Sequence, residues 1–157
     1  MTNDWRTRIE WAVGQIRDHS SIISGCSEAD LADFQRKRSL ELPEAYRHFL
    51  GAAGANCGRF LQGSDLRFED LDSLQSSAQS LLGDDGGPGL PENAFVFCSH
   101  QGYQFLFFQL GGGPDPEVRY YLEGEGEFKL VAPGFSDWLV RTVQDEFPDT
   151  SHGGAEV

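Results

Sequence analysis

At 157 residues the chain is long enough to bury one domain-sized core and too short for two comfortable ones. Its 39% apolar content includes twelve Phe, three Trp and four Tyr, and such rings bury large areas. No run approaches the roughly twenty apolar residues that a membrane-spanning helix needs. The formal net charge of −13 is uneven: residues 1–60 hold eight acids and eight bases, residues 61–157 seventeen acids and four bases. That balance argues against a phosphate-backbone partner, which needs clustered Lys and Arg, and favours a cationic partner or none. Acidity also serves plain solubility. The opening residues 1–6 lack the basic-then-apolar run of a signal peptide. Three cysteines, Cys26, Cys57 and Cys98, do not form a disulfide framework. Both features predict a cytoplasmic protein with reduced thiols.

Asn3 or Asp4 can cap a first helix, along which Trp5, Ile9, Ala12, Val13 and Ile16 make one stripe. Ser27 with Asp30 forms a weak capping box for a second helix bearing Leu31 and Phe34. Arg36-Lys37-Arg38 closes it, where bases complement the helix dipole. Pro43 suits the first turn of a third helix, and Tyr46, Phe49, Leu50 and Ala53 give it an apolar face. Gly54 can end it in a left-handed conformation. Cys57-Gly58-Arg59-Phe60-Leu61 reads as a short strand. Phe68, Leu71, Leu74, Ala78, Leu81 and Leu82 then mark an amphipathic helix, with Glu69, Asp70 and Asp72 near its start. Residues 83–89 read as a turn-rich loop without the Lys-Ser/Thr ending of a phosphate-binding loop.

From residue 94 the period changes. Residues 94–99 and 103–110 are rich in strand formers, and Gln101-Gly102 suits a tight hairpin turn. The second run is apolar on both faces, as a central strand covered on both sides would be. Residues 118–122 and 128–131 follow as strands around Gly124-Glu125-Gly126. Phe135, Leu139, Val143 and Phe147 mark a last helix, with Ser136 or Asp137 near its start and Pro148 beyond its end. The order predicts an α+β fold: N-terminal helices, an antiparallel sheet of four to six strands, and a C-terminal helix packed on the sheet. One domain is expected over residues 1–147, and a flexible tail over residues 148–157.

Leu42-Pro43, Tyr46, Phe49-Leu50 and Gly54 together resemble the signature of the SUKH superfamily, which includes yeast cell-wall-assembly regulators and many bacterial immunity proteins. The second half is similar too: Pro91, Phe95, His100-Gln101-Gly102-Tyr103-Gln104-Phe105, Phe107-Phe108, Asp115-Pro116-Glu117-Val118, Tyr120-Tyr121, Glu123-Gly124 and Phe135-Ser136-Asp137-Trp138-Leu139. The order of these pieces carries the resemblance. Ala53 stands before Gly54 where many members have Asn-Gly. The resemblance implies an α+β domain that is not an enzyme. It also implies a protein that binds a cognate toxin, often a nuclease; other members are regulatory.

Cys98 and His100 share a strand face and could form a Cys–His pair, and adding Cys57 or His48 would suggest a metal site. A structural zinc site needs four convergent ligands, and no second closely spaced pair exists. A small buried filler is the competing reading of Cys98. Core packing competes with ligand binding for Tyr103, Tyr120, Tyr121 and Trp138, and Tyr120 and Tyr121 face opposite sides of their strand. The expectation is therefore a binding protein with no cofactor, no metal, no nucleic acid and no membrane. It meets a cationic toxin domain and occludes that partner's basic surface. The expected contact residues are Asp65, Glu69, Asp70, Asp72, Asp84, Asp85, Asp115, Glu117, Glu123, Glu125 and Glu127, with Tyr120 or Tyr121 as anchor. A small metal-dependent or Cys/His enzyme is the alternative, and an intracellular regulatory scaffold a third reading.

Overall fold

A computed structural model of the chain describes residues 4–20 and 22–148. Three helices come first: α1 (Asp4–Asp18), α2 (Glu28–Arg38) and α3 (Glu44–Ala53). Strand β1 (Ser64–Asp65), a 3-10 turn (Phe68–Asp70) and α4 (Leu71–Asp85) follow. Strands β2 (Ala94–His100), β3 (Gln104–Gln109), β4 (Val118–Leu122) and β5 (Lys129–Ala132) then lead to α5 (Phe135–Glu146). The five strands lie in chain order, each antiparallel to the next, so β3 is central. This is the α+β fold that the segregated helices and strands imply.

The expected apolar stripes are the buried ones: Trp5, Ile9, Ala12, Val13 and Ile16 in α1, and Phe135, Leu139 and Val143 in α5. Strand register puts Phe95, Leu106, Phe108 and Tyr120 on one face of the sheet, and Phe105, Phe107 and Tyr121 on the other. Tyr46 of α3 enters the first face, its ring 5.2–6.0 Å from those of Phe95, Phe97, Phe108 and Phe135. Such edge-on pairs add about 0.5–1.5 kcal/mol each beyond area burial. Phe128 covers Phe107 and Tyr121 on the second face. α4 crosses that side and ends at the Tyr121 hydroxyl. The central strand is thus covered on both sides, as its apolar run predicts.

The two sheet edges differ. β1 pairs only with Ser99 and His100, which leaves the rest of β2 without a strand on that side. Gln75 of α4 fills part of the gap. Its side-chain amide donates to Val96 O at 2.7 Å and its carbonyl accepts from Val96 N at 3.0 Å. One side chain therefore satisfies both backbone groups, as a neighbouring strand would.

Several local expectations need correction. Residues 57–61 form turns, not a strand, because Gly58 and Leu61 both have positive φ, which breaks extended backbone. Gly54 is right-handed, at φ −70, so the helix does not end in a left-handed glycine. The glycine is there for space, since a Cβ would lie 2.7 Å from Leu50 Cα. Gly83, Asp84 and Asp85 belong to α4, and Gly86 is its left-handed cap. Asp4 is the first helical residue rather than a cap, and Asn3 lies outside the described residues, as do 149–157 of the expected tail. Pro43 precedes α3 as its N-cap. By contrast Asp30 N donates to Ser27 Oγ at 3.0 Å, and Gln101-Gly102 makes the hairpin turn with φ 53 and 82.

Candidate functional site

The acids expected to meet a partner fall into distinct places. Asp84 and Asp85 end α4, and Glu123, Glu125 and Glu127 lie in the β4–β5 turn. Asp85 joins the two segments, because its Oδ2 accepts from the Tyr121 hydroxyl and from Gly124 N, the latter at 2.8 Å. These bonds to the charged form hold the Asp85 carboxyl below the usual carboxylate range. Glu123 N donates to Tyr103 O at 2.9 Å, which ties the same turn to the β2–β3 hairpin. Five carboxylates therefore gather on one end of the sheet. Lys129 answers one of them, pairing with Glu125 at 3.1 Å.

A second group lies at the β1 edge. Asp65, Glu69 and Asp70 line a cavity of about 350 Å³ together with Arg67, Cys57 and Phe60. Burial pushes the Asp70 carboxyl up, and the charges of Asp65 and Glu69 add to this. A hydrogen bond from Arg67 N opposes the shift. Asp72 is set apart: it grips Arg38 of α2, with Arg38 Nε 2.8 Å from its Oδ1. Glu117 pairs with Arg119 at 2.6 Å, far from the acidic turns along β4.

Two expected contact residues are structural, which corrects their assignment. Tyr121 is fully buried, its ring stacked on Phe105, so it cannot anchor a partner at the surface. Asp115 is drawn in by α5, whose N-cap Gly134 has no side chain to bond the first turn. Asp115 substitutes from a distant loop: Oδ1 accepts from Ser136 N at 2.8 Å and Oδ2 from Ser136 Oγ at 2.7 Å. A Cβ on Gly134 would sit 2.6 Å from that Oδ2. The Asp-Pro step before β4 is thus the cap of α5. Tyr120 is half-buried, on the face opposite Tyr121.

Of the residues of the enzymatic alternative, Cys98 and His100 border one cavity from β2, Cys57 lies near Cys98, and His48 is set apart on α3. Burial pushes the Cys98 thiol up to about 12, with smaller contributions from Cys57 and Asp65, which disfavours a thiolate there. Cys57 Sγ lies 3.6 Å from Phe60 O. His48 sits beside Arg6 and Glu10 of α1. His100 Nδ1 is 2.8 Å from Ser64 Oγ, across the β1–β2 pairing. Among the described residues no three His, Cys, Asp or Glu side chains converge as metal ligands do. No helix there is long and apolar enough to cross a membrane.

One feature of this end of the sheet has only a partial signal in the sequence, in Cys98, His100 and Trp138. A cavity of about 280 Å³ opens on the first face beside Trp138 and Thr142 of α5. Its walls combine Leu61, Cys98, Leu106 and Trp138 with Ser64, His100, Gln104 and Thr142. The residues come from a turn, three strands and a helix, so beyond the Cys98–His100 pair on β2 no spacing gathers them.

Compared with protein families, the chain matches the one described as the SMI1 / KNR4 family (SUKH-1) over residues 25–141. No curated protein matches it.

Proposed function

The chain belongs to the SMI1 / KNR4 family (SUKH-1), and from that membership we propose that it is a non-enzymatic binding protein of the immunity type. Its partner is a cationic toxin domain of the nuclease class, and its action is occlusion. Carboxylates at the open end of the sheet take the place of nucleic-acid phosphates on the toxin's basic surface. The observation that carries this reading is the junction at Asp85, which gathers Asp84, Asp85, Glu123, Glu125 and Glu127 into one rim. A rim of one sign speeds encounter with an opposite charge and rejects anionic partners. The buried, high-pKa Cys98 favours binding over Cys–His chemistry.

The test is co-expression with basic nuclease toxins, beginning with any found in the neighbouring genes. The expected result is relief of toxicity by the natural sequence and loss of relief when Glu123, Glu125 and Glu127 are all changed to Lys. Failure of the natural sequence to relieve toxicity, or relief that survives the triple reversal, would overturn the reading.

A further inference from the structure

The cavity between β3 and α5 lies on the same face as Tyr120 and next to the acidic rim. Leu106 faces it from the middle of β3, and Leu106 is paired with Tyr120. Gln104 faces it from the start of β3, paired with Leu122, the residue before Glu123. Leu61 reaches the wall from a backbone with φ 50. That left-handed conformation is unusual for a branched residue and is held where Leu61 N donates to Glu146 Oε1 at 3.1 Å.

The lining has a definite chemistry. Leu61, Leu106 and Trp138 offer apolar and aromatic wall. Ser64 Oγ, Thr142 Oγ1 and the Gln104 amide oxygen offer acceptors. The Thr142 hydroxyl donates to Trp138 O at 2.7 Å, so its lone pairs remain available. The Gln104 amide has no hydrogen-bond partner among the described residues. When His100 donates from Nδ1 to Ser64, its Nε2 is a further acceptor. No Lys or Arg lines the cavity. Asp65 follows Ser64 on β1, and Cys98 completes the wall.

We propose that this cavity receives one arginine side chain of the cationic partner, a reading that rests on the binding function proposed above. The methylene stem lies along Leu61 and Leu106, and the guanidinium meets Trp138 and the ring of neutral acceptors. A planar cation with five donors and weak hydration is matched by several fixed acceptors and an aromatic wall. A lysine ammonium is more strongly hydrated and fills the cavity less well. The rim attracts the partner, and the cavity fixes its register.

The experiment titrates Nα-acetyl-arginine amide into the folded protein and follows the Trp138 indole N–H and the Leu106 and Thr142 methyls by NMR. Nα-acetyl-citrulline amide, the neutral isostere, is the comparison. Saturable shifts of these three groups are expected with a Kd of roughly 1–10 mM, as suits one side chain. Citrulline should bind at least about tenfold more weakly. Gln104→Trp, which closes the mouth, and Thr142→Val, which keeps shape but removes an acceptor, should each weaken the arginine shifts. Shifts absent from these groups, equal shifts with citrulline, or shifts unchanged in both variants would overturn the proposal. The rim reading fails separately: the Glu123/Glu125/Glu127→Lys protein would still relieve toxicity while the cavity shifts persist.

Discussion

The Tyr121 hydroxyl donates to Asp85, and that carboxylate also accepts from Gly124 N at 2.8 Å. One acid thereby fixes the end of α4 to the turn after β4. Because both bonds favour the ionised form, the folded-state pKa of Asp85 lies below its unfolded value. Its contribution to stability is present above the unfolded pKa and is lost as pH falls through the folded one. Asp85 should therefore still be ionised below the normal carboxylate range, which side-chain NMR titration reads directly. Asp85→Asn should speed hydrogen exchange at the Gly124 amide. Exchange unchanged by that substitution would count against the junction.

Association with a basic partner should depend on salt. The Debye length is about 10 Å at 0.1 M and shrinks as salt rises, so the pull of the rim weakens. The on-rate should fall markedly between low and physiological ionic strength and lose most of that slope in the Glu123/Glu125/Glu127→Lys protein. Stopped-flow measurement at several salt concentrations checks this. An on-rate indifferent to salt would remove the electrostatic part of the mechanism.

Tyr46 is 1% exposed, and its hydroxyl has no hydrogen-bond partner among the described residues. A buried unpaired hydroxyl costs about 1–3 kcal/mol. Tyr46→Phe keeps the ring among its four aromatic neighbours and removes that cost. It should leave stability equal or raise it by about 1 kcal/mol. Tyr46→Ala should cost about 3–5 kcal/mol. Denaturant midpoints with an unchanged m-value give both numbers.

Gln75 closes the edge of β2 that β1 leaves open. Gln75→Leu keeps the bulk and leaves Val96 N and O unpaired, at a cost of about 2–3 kcal/mol. Thermal unfolding measures the loss, and faster exchange at the Val96 amide locates it. A loss of stability without faster Val96 exchange would place the defect elsewhere.

Gly54→Ala separates two roles of a helix-ending glycine. Its φ of −70 suits any residue, so the backbone conformation is not strained by a side chain. The new Cβ would instead meet Leu50 Cα and O at 2.7 and 2.8 Å. The expected cost is about 1–3 kcal/mol, as for overpacking. A stabilised Gly54→Ala protein would show that the contact relaxes freely.

Much of the fold could be read from the chain. The stripes of α1, α3 and α5 and the apolar run of β3 announce themselves because helix and strand periods are local. The Gln101-Gly102 turn was legible for the same reason. The turns of residues 57–61 were not, since Cys57, Phe60 and Leu61 look like strand formers while the backbone there is set by positive φ at Gly58 and Leu61.

The acids divide along the same line. Sequence alone determined that residues 61–157 carry the whole net charge and that Tyr120 and Tyr121 face opposite ways. Only the tertiary structure decided which carboxylates are free. Asp115 bonds Ser136, 21 residues on, and Asp72 bonds Arg38, 34 residues back, while Glu123 and Glu127 stay exposed. A carboxylate that caps a helix and one that faces water are the same letter. What separates them is whether a donor arrives from another element, and that depends on packing rather than on period.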